Sequence, residues 1–289
     1  MRVFPLKNMK TSYMFLISSV MCILSVIPAK ATEQAGGFLI GVHGYVRSTI
    51  YDRRLTYYSS SLNADYEADF ISCGIEPYIK MNYPLYDMQG NVTRSSLGGV
   101  DLSAGIEATD WLSIGGWIGG AAGEYDLRRY EGGGWGSLYL LDTLYLQASH
   151  DRGSSDYSIY QGYDLTSSYR FTSLYTELYI NRDLAIGAEL MDIQQQVESA
   201  GYETRYSTRD YRGGPVLYPD NSVVLDIMGI IGEQKESGSY MGAAASLWFE
   251  PSRWFNMFVS AEYNVFISDT NTDPYSGISL NGGVTLYFL

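Results

Sequence analysis

Cysteine is nearly absent from this 289-residue chain. There are two, Cys22 and Cys73. Only Cys73 lies beyond residue 31, so no intrachain disulfide can staple the remainder. Histidine is limited to His43 and His150, which leaves hydrolytic chemistry few bases to draw on. Proline is scarce, at 8 residues. After residue 31 no stretch of 18 apolar residues occurs, which excludes a helical membrane protein. Basic residues are also few, at 19 Lys and Arg against 32 Asp and Glu. That balance excludes a nucleic-acid partner.

The first 31 residues read as a secretory signal peptide. Arg2, Lys7 and Lys10 form a positive head, Ser12 to Pro28 is apolar or small, and Ala29-Lys30-Ala31 matches a cleavage site. The apolar part is too short for a membrane span. Four of the basic residues and none of the acidic ones fall before Thr32, so the expected mature chain, residues 32–289, carries a formal charge of -17. Tyrosine (27) and glycine (31) are both abundant.

The dominant pattern is alternation with period two. Phe255, Met257, Val259, Ala261, Tyr263, Val265 and Ile267 share one face. At strand rise they span about 45 Å, enough to cross a bilayer at a barrel tilt. Similar runs start at Phe38, Ile71, Val100, Leu112, Leu184 and Met241. The chain ends on Asn281 to Leu289, an uncharged alternating strand that would leave an open edge in a soluble domain. A closed barrel removes that edge. The expected fold is therefore all-β, a single transmembrane antiparallel barrel of ten to twelve strands.

Three connections read as tight periplasmic turns: residues 109–111, 181–183 and 250–253. Residues 52–68, 124–136, 149–166, 199–222 and 269–276 read as long, Tyr-rich extracellular loops. Trp111, Tyr179, Trp248 and Trp254 fall where an interfacial aromatic girdle belongs. Pro77 interrupts an alternating run and is expected to mark a bulge or a strand end. Residues 84–98 and 135–148 fit no simple strand count.

The whole chain after residue 31 resembles the bacterial outer-membrane β-barrels. The carrying residues are Asn281, Gly283, Leu286 and Phe288, spaced like the signal read by the barrel-assembly machinery, although Leu289 follows the terminal aromatic. The resemblance implies outer-membrane lipid, lipopolysaccharide and that machinery as partners, with an extracellular ligand also open. A looser resemblance, in the layout of Tyr169 to Leu190, is to the omptin surface proteases, which are ten-stranded barrels. Their Asp-x-His motif is missing here, and Gly201 to Tyr206, where it would fall, contains neither member.

Candidate site residues follow from parity. Arg47, Glu76, Lys80, Asp101, Glu107, Glu189 and Glu262 are expected to face the lumen. They would line an acidic, cation-preferring path or form a side-chain plug. His43 is expected beside them, as a base or as one polar filler among many. His150 and Asp151 are placed in a loop, as a weak catalytic pair or as solvated residues. Asp151, Asp156, Asp269, Asn271 and Asp273 match no calcium-loop spacing, and no metal or cofactor is expected. Gly132-Gly133-Gly134 lacks the Lys-Ser/Thr of a phosphate loop and reads as a flexible tip. The functional expectation is a non-enzymatic surface barrel serving envelope structure, adhesion or limited solute passage. An omptin-like or lipid-directed hydrolase is the alternative.

Overall fold

The computed structural model describes residues 37–50, 54–68, 70–87, 92–109, 111–140, 143–160, 163–199, 201–235, 238–252, 255–267 and 275–288. The predicted signal peptide, Trp254 and the segment 268–274 lie outside the described residues. Fourteen strands run in chain order. They are β1 (Gly37–Ile50), β2 (Arg54–Ala68), β3 (Ile71–Tyr86), β4 (Val92–Thr109), β5 (Leu112–Gly123), β6 (Arg128–Leu140) and β7 (Leu144–Tyr160). They continue as β8 (Tyr163–Asn181), β9 (Leu184–Ser199), β10 (Tyr202–Asp220), β11 (Val223–Gln234), β12 (Gly238–Ser252), β13 (Phe255–Ile267) and β14 (Tyr275–Phe288). Each pairs antiparallel with its chain neighbours, and β1 pairs with β14 from Ile40↔Phe288 to Ile50↔Ile278. The sheet is a closed barrel, as the terminal strand demanded.

The strand number is fourteen rather than ten to twelve. The difference comes from the expected loops. Residues 54–68 form β2, residues 128–136 open β6, and the stretches 149–166 and 199–222 are mostly β7, β8 and β10. Gly132-Gly133-Gly134 lies inside β6 rather than at a tip. These segments are polar on both faces, so they carry no apolar alternation. Their Tyr, Ser and Thr content nonetheless suits a pleated ladder. Residues 84–98 resolve into the end of β3 and the start of β4, and 135–148 into the β6–β7 hairpin. The connections that lie wholly within the described residues, 124–127, 182–183 and 221–222, are short.

Pro77 neither ends β3 nor shifts its register. It pairs with Val100 on the β4 side. The β2–β3 ladder is interrupted opposite it, between Ser61↔Tyr78 and Ala64↔Ile75, and resumes in the same register. Proline has no N–H to give, so the ladder skips rather than bulges. The irregularity in β3 lies further on, between Lys80 and Tyr83, where Asn82 adopts a φ of 58°.

One face of nearly every strand is apolar and points away from the barrel axis. Ile118 and Ile231 are each 66% exposed, and Val100, Leu102, Ile106, Leu174, Leu178, Ile186 and Val284 are exposed beside them. A closed barrel wrapped in an apolar band is the arrangement that satisfies every backbone group inside lipid. Trp111 is an exposed turn residue at one rim. Trp248 and Tyr179, assigned above to the girdle, instead face the lumen: Trp248 stacks on Phe258 and Tyr179 lies in a cluster of interior tyrosines.

Placing a cation on the outward face tests this arrangement. Leu102→Arg, in the middle of the β4 apolar run, should lower folding stability in bilayers by about 2–4 kcal/mol, read from urea titrations followed by heat-modifiable gel mobility.

Candidate functional site: the lumen

The inner face is built from a repeated pairing of large and absent side chains. Tyr78 pairs directly with Gly99, Tyr169 with Gly153, Trp135 with Gly115, Tyr240 with Gly232 and Asp151 with Gly133. A methyl group added at Gly153 would lie 2.4 Å from the Tyr169 ring, and one at Gly99 would lie 2.6 Å from Tyr78. At Gly115 it would meet the Trp135 indole at 2.6 Å. The glycines thus let large inner side chains lie flat along the wall instead of standing across the lumen. This gives the chain's high glycine content a packing reason.

At the end away from the chain termini, an apolar cluster lines the β3–β9 side of the lumen. Tyr78, Leu85, Leu97, Leu127, Tyr157, Leu165 and Val197 are buried together. Leu127 reaches it from the β5–β6 connection, where Tyr125 and Asp126 both take left-handed φ values. Against this cluster sits one charged pair. Arg129 bonds Glu131 and the Tyr83 hydroxyl. Glu131 also accepts from Tyr169 (2.7 Å) and Tyr78 (3.5 Å). The Arg129 guanidinium lies 5.4 Å from the Tyr83 ring centroid and 5.6 Å from that of Tyr169. Bonding of this density is what a buried ion pair requires. Beside it lies a cavity of about 430 Å³ whose lining includes Tyr83, Leu85, Tyr157, Tyr169, Phe171 and Ile193, with Arg129 and Asp151 on its wall.

Near the terminal end a second aromatic group crosses five strands. Tyr139 donates to Tyr179 (2.9 Å), and Tyr179 and Tyr218 share a bond at 3.4 Å. Tyr218 (2.7 Å) and Tyr175 donate to Glu177. The rings form a chain Tyr175–Tyr145–Tyr139–Tyr179–Tyr218 with successive centroids 5.3–6.3 Å apart. On the facing wall, Arg212 bridges Asp210 and Glu262, each at 3.1 Å, and Tyr240 donates to Asp210.

The sequence-predicted residues fall as follows. Glu76, Asp101, Glu107, Glu189 and Glu262 lie on the inner face, with Lys80 over the Tyr78 ring at 4.5 Å. Glu76 sits directly opposite Asp101. Ser173 donates to Glu189 (2.8 Å), and Asn264 donates to Glu262 (2.6 Å). His43 and Arg47 lie in β1, in register with Thr285 and Asn281. Asn281 donates to Ser260 (3.1 Å), Gly283 pairs with Tyr45 and Phe258, Leu286 is exposed on the outer face, and Phe288 pairs with Ile40.

His150 and Asp151 are not a catalytic pair. They are consecutive residues of β7, so their side chains leave opposite faces. His150 Nδ1 meets the Thr172 hydroxyl at 2.9 Å on the outer face, while Asp151 accepts from Trp117 Nε1 at 3.1 Å inside. The loop that would have let them converge is a strand. Parity reasoning missed Arg129, Glu131, Asp210, Arg212 and Glu177. Their segments were read as loops or as strands without apolar alternation, so no inner face was assigned to them.

No protein-family profile and no curated protein sequence matches the chain. Solved structures do. The toluene transporter TbuX of Ralstonia pickettii superposes with a TM-score of 0.52 at 9% identity, over 89% of this chain and 90% of that one. The CymD monoaromatic hydrocarbon channel superposes with a TM-score of 0.56 at 12% identity, over 87% and 88%. Likeness at such identity is likeness of fold.

The flat packing of inner side chains has a measurable consequence. Gly153→Val should push Tyr169 off the wall, break its bond to Glu131 and cost about 1–3 kcal/mol of stability in denaturant titrations. Gly136→Ala, on the outer face where an added methyl would meet only the Ser113 carbonyl at 3.8 Å, serves as the comparison for a change made outside the lumen. Closed at β1 and β14, banded with apolar side chains and alike in fold to these channels, the chain has the fold of the bacterial outer-membrane β-barrels.

Proposed function

We propose that the barrel passes small neutral solutes, aromatic ones foremost, across the outer membrane. The observation that carries this reading is the lumenal cavity beside Arg129. Its volume of about 430 Å³ falls in the usual range for a small-molecule site. Tyr83, Tyr157, Tyr169 and Phe171 offer ring faces, and Leu85 and Ile193 offer aliphatic contact. The interior tyrosines from Tyr139 to Tyr218 continue an amphipathic surface toward the terminal end, where a solute can exchange one ring contact for the next. The inner wall is otherwise rich in carboxylates, including Asp101, Asp151, Glu177, Asp210, Asp226 and Glu262, so anions are repelled. TbuX and CymD, whose names describe a toluene transporter and a monoaromatic hydrocarbon channel, share the fold and add support at that level only.

The alternatives lose their footing. Adhesion rested on long Tyr-rich loops, and those residues are largely strand. The hydrolase had no assigned catalytic residues; of its weak candidates His43, His150 and Asp151, the last two point apart, and its ten-stranded layout meets fourteen strands.

Uptake of labelled phenol and benzoate, measured in Gram-negative cells with and without the chain, tests the proposal. Phenol entry should rise several-fold with the chain and benzoate entry should not. Phe171→Asp, which puts a charge on the cavity wall, should remove most of the gain while leaving the barrel folded. Equal phenol entry with and without the chain, or equal gains for both solutes, would overturn the reading.

A further inference from the structure

The outer wall changes character abruptly over β7 to β11. The cross-strand row Ala148, Leu174, Leu190, Tyr211, Ile231 faces outward and is mostly apolar. The adjacent row toward the end away from the chain termini is His150, Thr172, Asp192, Arg209, Glu233. The apolar band therefore ends between them, at the level of lipid headgroups. Above that boundary lie Arg152 and Arg170, directly paired across β7 and β8, then Gln194 and Ser207. Lys235 completes the group, its backbone N–H donating to the Ser207 carbonyl at 2.9 Å.

Two like charges placed directly opposite destabilise a strand pair unless something lies between or over them. Arg209 is engaged by Asp192 at 3.4 Å and Arg205 by Glu203. Arg152, Arg170 and Lys235 have no side-chain hydrogen bond or ion pair with another described residue. Arg170, Arg205 and Lys235 share a groove of about 430 Å³ with Gln194, Gln196 and Ser207. This concentration of cations and neutral donors occurs in a chain of net charge -13.

We propose that this outward groove binds the phosphorylated headgroup of a membrane glycolipid. Arginine forks and a lysine suit phosphate oxygens, and Gln194, Gln196 and Ser207 suit sugar hydroxyls. The lipid's acyl chains would lie on Leu174, Leu190 and Ile231, beyond the intervening row His150, Thr172, Asp192, Arg209 and Glu233. An apolar wall lying about 14 Å along the strands from the cations, four residues at strand rise, suits a lipid headgroup with attached chains over a free anion. The site is on the outside of the barrel and is independent of what passes through the lumen.

The test uses the full, folded chain in detergent, with lipid A as the probe and native mass spectrometry as the readout. Lipid A should be retained, and lipid A stripped of its phosphates should not. In Arg152→Gln/Arg170→Gln/Lys235→Gln the affinity should fall by about fivefold for each cation removed. Equal retention of the two lipids by the unaltered protein overturns the proposal, and this comparison stands even if the triple variant fails to fold. Unchanged affinity in a folded triple variant also overturns it. Displacement of lipid A by inorganic phosphate at matched concentration would mark a simple anion site and overturn the lipid assignment.

Discussion

The pairing of β1 with β14 is the interaction on which the rest of the structure depends. In hydrocarbon every unpaired backbone N–H or C=O costs several kcal/mol, so a sheet with two free edges cannot persist there. An unbroken register from Ile40↔Phe288 to Ile50↔Ile278 removes both edges at once. Closure then dictates the two faces. Side chains alternate between a lipid that tolerates only apolar groups and an interior that must accept everything else. The apolar exterior and the charged, aromatic interior are one constraint seen from two sides.

Closure also creates the problem that the glycines solve. Fourteen strands enclose a lumen into which every second residue projects. A lumen filled by standing side chains would conduct nothing. Tyr78, Trp135, Tyr169 and Tyr240 each fold over the glycine opposite, so their area covers the wall rather than the path. The two ion-pair networks, Arg129–Glu131 and Asp210–Arg212–Glu262, hold charges against the wall in the same way. Tyr169 donates to Glu131, Tyr240 to Asp210 and Asn264 to Glu262, which is what permits carboxylates in so enclosed a space.

The barrel class, its antiparallel order and the role of the terminal strand were legible in the sequence because lipid enforces alternation. Phe255 to Ile267 and Val100 to Ile106 meet hydrocarbon on one side, and their pattern follows. Legibility failed wherever a strand leaves the lipid. Ser154, Ser168, Gln196 and Arg205 stand on outward faces above the apolar band, where polar surroundings replace hydrocarbon and no longer enforce apolar alternation. Their strands look like loops, which lowered the strand count and hid Arg129, Glu131, Asp210 and Arg212 from any assignment to the lumen. The same misreading brought His150 and Asp151 together in a loop that does not exist.

By itself the sequence determined that one face of each membrane-crossing strand is apolar, that the last strand needs a partner, and that hydrolytic residues are few. Each of these is local, a matter of residue type and spacing of two. Only the tertiary structure decided how many strands close the barrel, which glycine lies under which ring, and which charges meet across the lumen. Those depend on register between strands that are far apart in the chain. Register is set by the closed ladder as a whole, and no single segment carries it.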